Sequence, residues 1–298
     1  MSTPRFPSHA YKFCFGLVLS VLLAMASMAQ AQKQASCTFT FFSLTTNIPN
    51  IGRVHVYPAG INDFGTVVGW VDNSIPPAAF IRWVGGVYSF PLGTSSGSAL
   101  VDRNDSGTSL GSGGGAGAIL LSGTSITPIA LDINNGGFLV NRINKWNSIV
   151  GVYSTPDHSS EHGFKRWSNG SVVTLDDPGG YPTTPNGIND SGTVVGEYVV
   201  NGLENGFIYH KGQWATLNYP NSVGTNLVGI TNSAVIIGNF ANGFSGKAFL
   251  YQNGIFKVIS VPHASVTRVL SISLRSGLIL GTAGFSTGYN TGFIAKCK

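Results

Sequence analysis

A glycine that closes an apolar stretch recurs along the chain at nearly constant intervals, and this repeat constrains the fold more than any other feature. The intervals are 42, 40, 45, 42 and 43 residues, and the repeated positions are Gly69, Gly111, Gly151, Gly196, Gly238 and Gly281. Two copies are almost identical decapeptides, GINDFGTVVG at 60–69 and GINDSGTVVG at 187–196. Six imperfect copies of one structural unit therefore fill most of the chain.

The local pattern indicates that this unit is a β-sheet. Repeats of this length occur in four-stranded propeller blades and in helical HEAT-type arrays. The chain has no sustained apolar period of 3.6 residues, but short apolar runs broken by Gly, Asn, Asp and Pro recur throughout. In the fourth copy a turn at 189–192 joins two strands, and third and fourth strands follow at 206–209 and 214–217. The sequence predicts an all-β, six-bladed propeller with blades of about 42 residues.

Each unit except the second carries a phenylalanine 11 to 13 residues after its glycine: Phe80, Phe164, Phe207, Phe249 and Phe293. One buried aromatic side chain per blade would pack between neighbouring sheets. The corresponding segment of the second unit, 115–123 (GAGAILLSG), has no aromatic residue. We therefore expect a thin or irregular second blade.

The Asn-Asp-x-Gly segment inside the repeat has two interpretations. Asn and Asp hydrogen-bond their own backbone and Gly accepts positive φ, which is typical of a hairpin turn. Asp102, Asn104 and Asp105 also alternate with other residues, here Arg103 and Ser106, as the oxygen ligands of a calcium loop do. A full calcium loop needs more acidic ligands and a late bidentate carboxylate, so we interpret the segment as an architectural turn.

The N-terminal residues differ in composition from the rest. Residues 13–25 are apolar, two basic residues precede them, and Ala29-Gln30-Ala31 resembles a signal-peptidase site. This predicts a secretory signal over 1–31 and one propeller domain over 32–298. A retained anchor helix is the alternative, and no later segment is apolar enough to span a membrane. Removal of 1–31 lowers the net charge from +5 to +3, too little to indicate nucleic-acid binding.

The two ends of the domain are predicted to close the ring. The sixth unit stops before its fourth strand, and residues 37–44 (CTFTFFSL) alternate as a strand would. We expect this segment to complete the last blade. Cys37 and Cys297 would then lie on neighbouring strands, close enough for a disulfide in an exported protein. Two free thiols are the alternative.

These residues resemble a known repeat family. A decapeptide of the form G-I-N-D-x-G-x-V-V-G, followed by a triplet such as His162-Gly163-Phe164, resembles the HAF-type extracellular repeats of exported bacterial proteins. The triplet is degenerate in the other copies, as at 78–80, 205–207, 247–249 and 291–293. The resemblance implies export and a β-repeat fold. It implies no activity and supplies no catalytic residues.

Function is expected in the loops where the copies diverge, because positions that the copies share serve the fold. These loops include 154–161, 176–186, 218–226 and 260–267, and we place them on one face around the channel. Tyrosine rings stack on sugars, so a neutral extracellular or cell-wall glycan is the predicted ligand. The ligand-binding candidates are Tyr181, Tyr219, Tyr289, His158, His162, His263, Asp102 and Arg142. The last two replace a repeated glycine at the channel and are interpreted mainly as a pair that plugs it.

Other function classes remain open at this point. A carbohydrate-active hydrolase or lyase would need two converging loop carboxylates, with candidates at Asp72, Glu161, Asp176, Asp177 and Glu204. A surface adhesion or assembly protein is a further alternative. His158, Glu161 and His162 offer a metal-ligand spacing that suits a helix, but the segment is predicted as loop, so we expect no metal site there. No cofactor motif is present, and the oligomeric state is not determined by the sequence.

Overall fold

The computed structural model describes residues 33–48, 52–72, 77–93, 97–115, 117–242, 245–288 and 290–298. The described residues belong to one compact unit, Gln32–Lys298. The predicted signal segment, 1–31, lies outside them, as does the candidate Tyr289. The described part of the chain forms 26 strands and no helix, and it contains no helix of the length and apolarity required for a membrane span.

Two strands precede the first blade, β1 (Lys33–Gln34) and β2 (Cys37–Ser43). The strands of blade 1 are β3 (Thr45–Ile48), β4 (Gly52–Ile61), β5 (Val67–Asp72), β6 (Ala78–Arg82) and β7 (Tyr88–Ser89). Those of blade 2 are β8 (Ser98–Arg103), β9 (Thr108–Gly113), β10 (Ala118–Ser122) and β11 (Ser125–Pro128). Those of blade 3 are β12 (Gly137–Ile143), β13 (Ile149–Ser154), β14 (Glu161–Arg166) and β15 (Val172–Leu175).

The second half of the ring repeats this plan. Blade 4 consists of β16 (Thr183–Ile188), β17 (Val194–Val200), β18 (Leu203–His210) and β19 (Gln213–Thr216). Blade 5 consists of β20 (Gly224–Ile230), β21 (Ile236–Asn242), β22 (Ser245–Gln252) and β23 (Ile255–Ile259). Blade 6 contains β24 (Val266–Ile272), β25 (Leu278–Gly284) and β26 (Asn290–Cys297). Six sheets result, with antiparallel pairing among the strands named for each blade, and the predicted six-bladed propeller is confirmed.

The N-terminal strand closes the ring as expected. Strand β2 pairs antiparallel with β26 and is the fourth strand of blade 6, with Cys37 directly opposite Cys297. The two cysteines form a disulfide. Strand β1, which the sequence pattern did not indicate, adds a short parallel strand to the outer edge of blade 5.

The repeated glycine is required by close packing. In blade 4, Gly196 of β17 lies opposite Phe207 of β18, and a Cβ on Gly196 would lie 2.1 Å from the Thr184 carbonyl and 2.7 Å from the Phe207 ring. Strand β16 has a bulge between Pro185 and Gly187, next to the point where Pro185 pairs with Gly196. The five expected phenylalanines are fully buried, each contributing roughly 1.5–3 kcal/mol by burial.

Blade 2 is complete, so the expectation of an irregular sheet was wrong. Its four strands pair in the order β11-β10-β9-β8. Ile119 of β10 takes the phenylalanine position opposite Gly111 and is fully buried. An aliphatic side chain therefore fills the space that an aromatic ring fills in the other blades.

The asparagine turns of blades 1 to 4 also join neighbouring blades. Within each turn the Asn Oδ1 accepts a bond from the amide four residues later, at 3.0 Å for Asn189 and Thr193. The same side chain donates through Nδ2 to the next blade, at 3.1 Å from Asn189 to the Thr231 carbonyl. Asn104 and Asn144 repeat this bond to their own neighbours at 3.1 Å. The turn interpretation is confirmed, and the repeat additionally forms a hydrogen-bonded belt between blades.

The two ends of the strands define two faces. The turn face carries the hairpins that join the first strand to the second and the third to the fourth in each blade. The loop face carries the connections between second and third strands and those between blades.

Candidate functional site: a groove on the loop face

The central channel is closed by side chains. Arg142 of blade 3 donates through Nη2 to the backbone carbonyl of Leu270 in blade 6, on the opposite side of the ring, and through Nη1 to the Asn141 carbonyl at 2.8 Å. Buried Asp102 accepts the Ile143 amide at 3.0 Å. Although both residues belong to the described part of the chain, they form no direct ion pair there. The plug interpretation holds for their position, but each group is satisfied mainly by backbone.

The charges of the two plug residues still influence one another. Burial raises the pKa of Asp102, and the positive charge of Arg142 opposes that rise. Burial lowers the pKa of Arg142, and the charge of Asp102 opposes that fall. The remaining space beside them on the turn-face side is about 20 Å³, room for about one water molecule. Asp102 and Arg142 therefore serve better as a plug than as ligand-binding residues.

An open groove lies on the loop face of blades 6 and 1. It consists of three adjoining hollows of about 660, 460 and 590 Å³. The first two share Leu44, Thr282 and Asn290, and the second and third share Phe285. We call this feature the loop-face groove. Hollows of several hundred Å³ match the size of small-molecule sites, and their succession suits an extended ligand.

The first hollow contains an aromatic platform formed by Tyr57 and Trp70. The two residues are opposite one another on β4 and β5, and their rings are nearly parallel, 8° apart with centroids separated by 5.5 Å. Tyr57 is 41% exposed. Arg53, His55 and Asn290 provide polar groups around the platform. This combination of aromatic surface and hydrogen-bonding side chains is the chemistry that recognises sugars.

The local sequence explains why these side chains line the groove. Along β4, Val54 and Val56 are buried, whereas the alternate residues His55 and Tyr57 are exposed. Strand β3 pairs with the start of β4, with Thr45 opposite His55. This hairpin extends the sheet beside the first hollow and forms one of its walls.

A separate cluster of side chains on the loop face brings together several of the residues that the sequence suggested for ligand binding or catalysis. His162 Nδ1 lies 2.9 Å from Asp176 Oδ2, and the His162 ring stacks on Tyr153 at 5.2 Å and tilts against Tyr181 at 5.6 Å. The Tyr181 hydroxyl accepts a hydrogen bond from the Glu161 amide. The cluster lies in blades 3 and 4, away from the loop-face groove.

The remaining candidates have separate environments. Tyr219 is 5% exposed and stacks on Phe240 at 3.7 Å, so its assignment as a ligand contact was wrong because the ring fills the core between blades 4 and 5. His263 lines the third hollow of the groove. His158 is an exposed turn residue whose Nδ1 lies 3.2 Å from Ser154 Oγ.

The loop carboxylates occupy different roles. Asp176 contacts His162, and Asp177 accepts the Gly179 amide at 2.7 Å within a turn. Glu161 and Glu204 are exposed at strand starts. Among the residues that the structure describes, no group of three or more His, Cys, Asp or Glu side chains is arranged to hold a metal ion.

Glu197 is a buried carboxyl group that the sequence reasoning missed. Its Oε2 is buried without a hydrogen-bond partner among the described residues. Burial raises its pKa to about 7, the negative charge of Glu204 adds to the rise, and a hydrogen bond with Asn226 opposes it. Near neutral pH the group therefore exchanges a proton. The available signal was a single carboxylate within the apolar strand VVGEYVV.

Comparison with known proteins establishes the fold. No protein-family model and no curated protein sequence matches the chain. A gluconolactonase from Xanthomonas campestris has a similar structure at 8% identity, covering 89% of this chain and 99% of that one with a TM-score of 0.52. Virginiamycin B lyase from Staphylococcus aureus is similar at 13% identity, covering 88% of this chain and 100% of that one with a TM-score of 0.51. At these identities the likeness shows that the chain shares their β-propeller architecture.

Proposed function

We propose that the protein is an exported binding module that holds an extended glycan in the loop-face groove. The observation that carries the proposal is the Tyr57–Trp70 platform, exposed in a hollow of about 660 Å³ and surrounded by polar side chains. The Cys37–Cys297 disulfide is compatible with an oxidising, extracellular or periplasmic location. The HAF-type repeat resemblance supports the same location.

The shape of the groove favours a polymer over a small compact ligand. Its three hollows continue from Tyr57 and Trp70, past Thr282, to Phe41 and His263. Phe41 is 50% exposed and offers a second apolar surface at the far end. A sugar chain that contacts both ends would cover several residues of the polymer at once.

The test is a binding screen of the purified protein against extracellular and cell-wall polysaccharides, with product analysis on the same samples. Replacement of Trp70 by Ala is expected to weaken binding of the retained polysaccharide by about tenfold or more, as for a buried aromatic contact. Trp70→Phe should restore part of the affinity, because an aromatic face is kept.

Tyr181→Ala is the matched control. Tyr181 is also an exposed loop-face tyrosine, 46% exposed against 41% for Tyr57, but it belongs to the His162 cluster. It is expected to leave polysaccharide binding unchanged. If both variants fold and lose polysaccharide binding to the same extent, the assignment of the loop-face groove as the glycan site would be contradicted.

A carbohydrate-active hydrolase or lyase is the second candidate function, favoured by Glu197. A carboxyl group with a pKa near 7 can donate a proton at neutral pH, as a general acid must. The two structural relatives named above are a gluconolactonase and a lyase. Oligosaccharide products in the screen, lost in Glu197→Gln and retained in Glu161→Gln, would support this function over simple binding.

A further inference from the structure

The described charged side chains are divided unequally between the two faces. The turn face has nine basic and three acidic side chains, a net charge of +6, when the channel residues and the paired outer-strand lysines Lys33 and Lys257 are left out. The basic groups in its hairpins are Lys145, Lys211 and Arg275. Those at or next to strand ends are Arg82, Arg103, Lys165, Arg166, Lys296 and Lys298. The acidic groups are Asp63, Asp105 and Asp190.

The loop face has the opposite charge. Its basic side chains are Arg53, Lys247 and Arg268. Its seven acidic side chains are the five loop carboxylates named above together with Asp132 and Asp157, which gives a net charge of −4 when the buried mid-strand Glu197 is left out. The molecule is therefore electrically polar along the channel axis, although its total charge is small.

The positive face also carries the exposed tryptophans. Trp83, Trp146 and Trp167 lie on hairpins of the turn face and are each more than a third exposed, whereas Trp70 and Trp214 are less exposed. Each of the three has a cation over its ring, for example Lys145 at 4.4 Å from the centroid of Trp146. Phe64 and Val84 lie beside Trp83 and are 64% and 72% exposed.

We propose that the turn face docks on an anionic lipid surface. Tryptophan rings are favoured at the level of lipid headgroups, and lysine and arginine side chains near a membrane are attracted to anionic lipids. The exposed apolar groups of blades 1 and 3 are interleaved with cations. They fit such a surface better than they fit a soluble anionic polymer, which offers no apolar layer. This mode of docking leaves the loop-face groove directed away from the membrane.

The test measures binding of the purified, disulfide-bonded protein to phosphatidylcholine vesicles with and without phosphatidylglycerol. We expect partition to the anionic vesicles to be about tenfold higher or more. The triple variant Lys145→Gln, Lys211→Gln and Lys296→Gln removes three exposed turn-face charges and should lower that partition by about tenfold or more, since each cation contributes about fivefold. Tryptophan fluorescence should be quenched by brominated lipid, and Trp146→Ala should reduce the quenching.

The matched control removes the same number of charges from the other face. Arg53→Gln, Lys247→Gln and Arg268→Gln also change exposed residues, and they should alter vesicle binding by less than about threefold. Both triple variants are first checked for native melting. Equal loss of vesicle binding in the two variants would overturn the proposal. Binding without quenching by brominated lipid would also overturn it, because the tryptophan rings would then not enter the lipid layer.

Discussion

At the scale of single residues, the repeated glycines test whether the repeat serves packing. A Cβ on Gly196 would approach the Thr184 carbonyl and the Phe207 ring too closely to be accommodated without a backbone shift. Gly196→Ala is therefore expected to lower the free energy of unfolding by about 3 kcal/mol, as for an overpacked core. Denaturant unfolding measures this.

Gly224→Ala is the control for that substitution. Gly224 also lies in a strand of the ring, but its added Cβ would meet its nearest neighbour, Glu204, only at 3.7 Å. We expect a stability change of about 0.5 kcal/mol or less. Similar losses in the two variants would show that the contacts at Gly196 are not what fixes the repeat.

Glu197 predicts a pH dependence of stability. Its pKa in the folded protein is raised from 4.5 to about 7, so the folded state holds this proton more tightly than the unfolded state does. The resulting stabilisation is present below about pH 4.5 and is lost as the pH rises through 7, roughly 3 kcal/mol at about 1.4 kcal/mol per pH unit. Glu197→Gln should remove this slope, and unfolding curves between pH 4 and 8 would detect it.

If the free energy of unfolding of the wild-type protein did not change between pH 4 and 8, the assignment of a raised pKa to Glu197 would be contradicted. Glu204→Gln provides a graded control, because the charge of Glu204 contributes to the raised pKa. This variant should shift the loss of stability to lower pH without abolishing it.

The candidate residues show where sequence reasoning reached its limit. Tyr181 and the histidines were proposed as candidates because they lie in divergent loops. Trp70 was missed although it is the aromatic residue at a position that is Ser, Val, Glu, Asn or Thr in the other copies. Tyr219 was misassigned because a loop residue can turn inward to fill the space between two blades, which only the packing reveals.

At the scale of elements, the closing strand could be predicted from two features of the sequence. The sixth repeat is one strand short, and residues 37–44 show the side-chain alternation of a β-strand. Strand β1 could not be predicted, because a strand of two residues is too short to show a repeating pattern in the sequence. The pairing of β2 with β26 joins positions 260 residues apart through the disulfide. Cross-linking so long a loop stabilises by roughly 5 kcal/mol in the chain-entropy model.

The variant Cys37→Ser, Cys297→Ser is therefore expected to lose about 2–5 kcal/mol of stability. Reductant should lower the wild-type protein to the same level and leave the double variant unchanged. Thr40→Ser, an exposed change on the same strand, controls for disturbance of β2. If reduction does not change the unfolding midpoint of the wild-type protein, the ring is closed by strand pairing alone.

At the scale of the whole molecule, the six-bladed ring follows from the repeat interval, but its electrical polarity does not. Acidic and basic residues are interspersed along the sequence. They separate only because successive connections of each sheet alternate between the two faces. The topology thus directs the binding groove and the basic face toward opposite ends of the strands.

This separation predicts that the two surfaces act independently. Energetic effects at distant positions without shared contacts usually add. We therefore expect no coupling between the two surfaces, and the vesicle-bound protein should still hold its glycan. In co-sedimentation, a labelled polysaccharide identified in the binding screen should pellet with anionic vesicles only when the protein is present. Trp70→Ala should release the polysaccharide while the protein stays on the vesicles, whereas the turn-face triple variant should leave both in solution. Loss of vesicle binding upon addition of polysaccharide would instead place both ligands on one face, and the propeller would not act as a bridge between membrane and glycan.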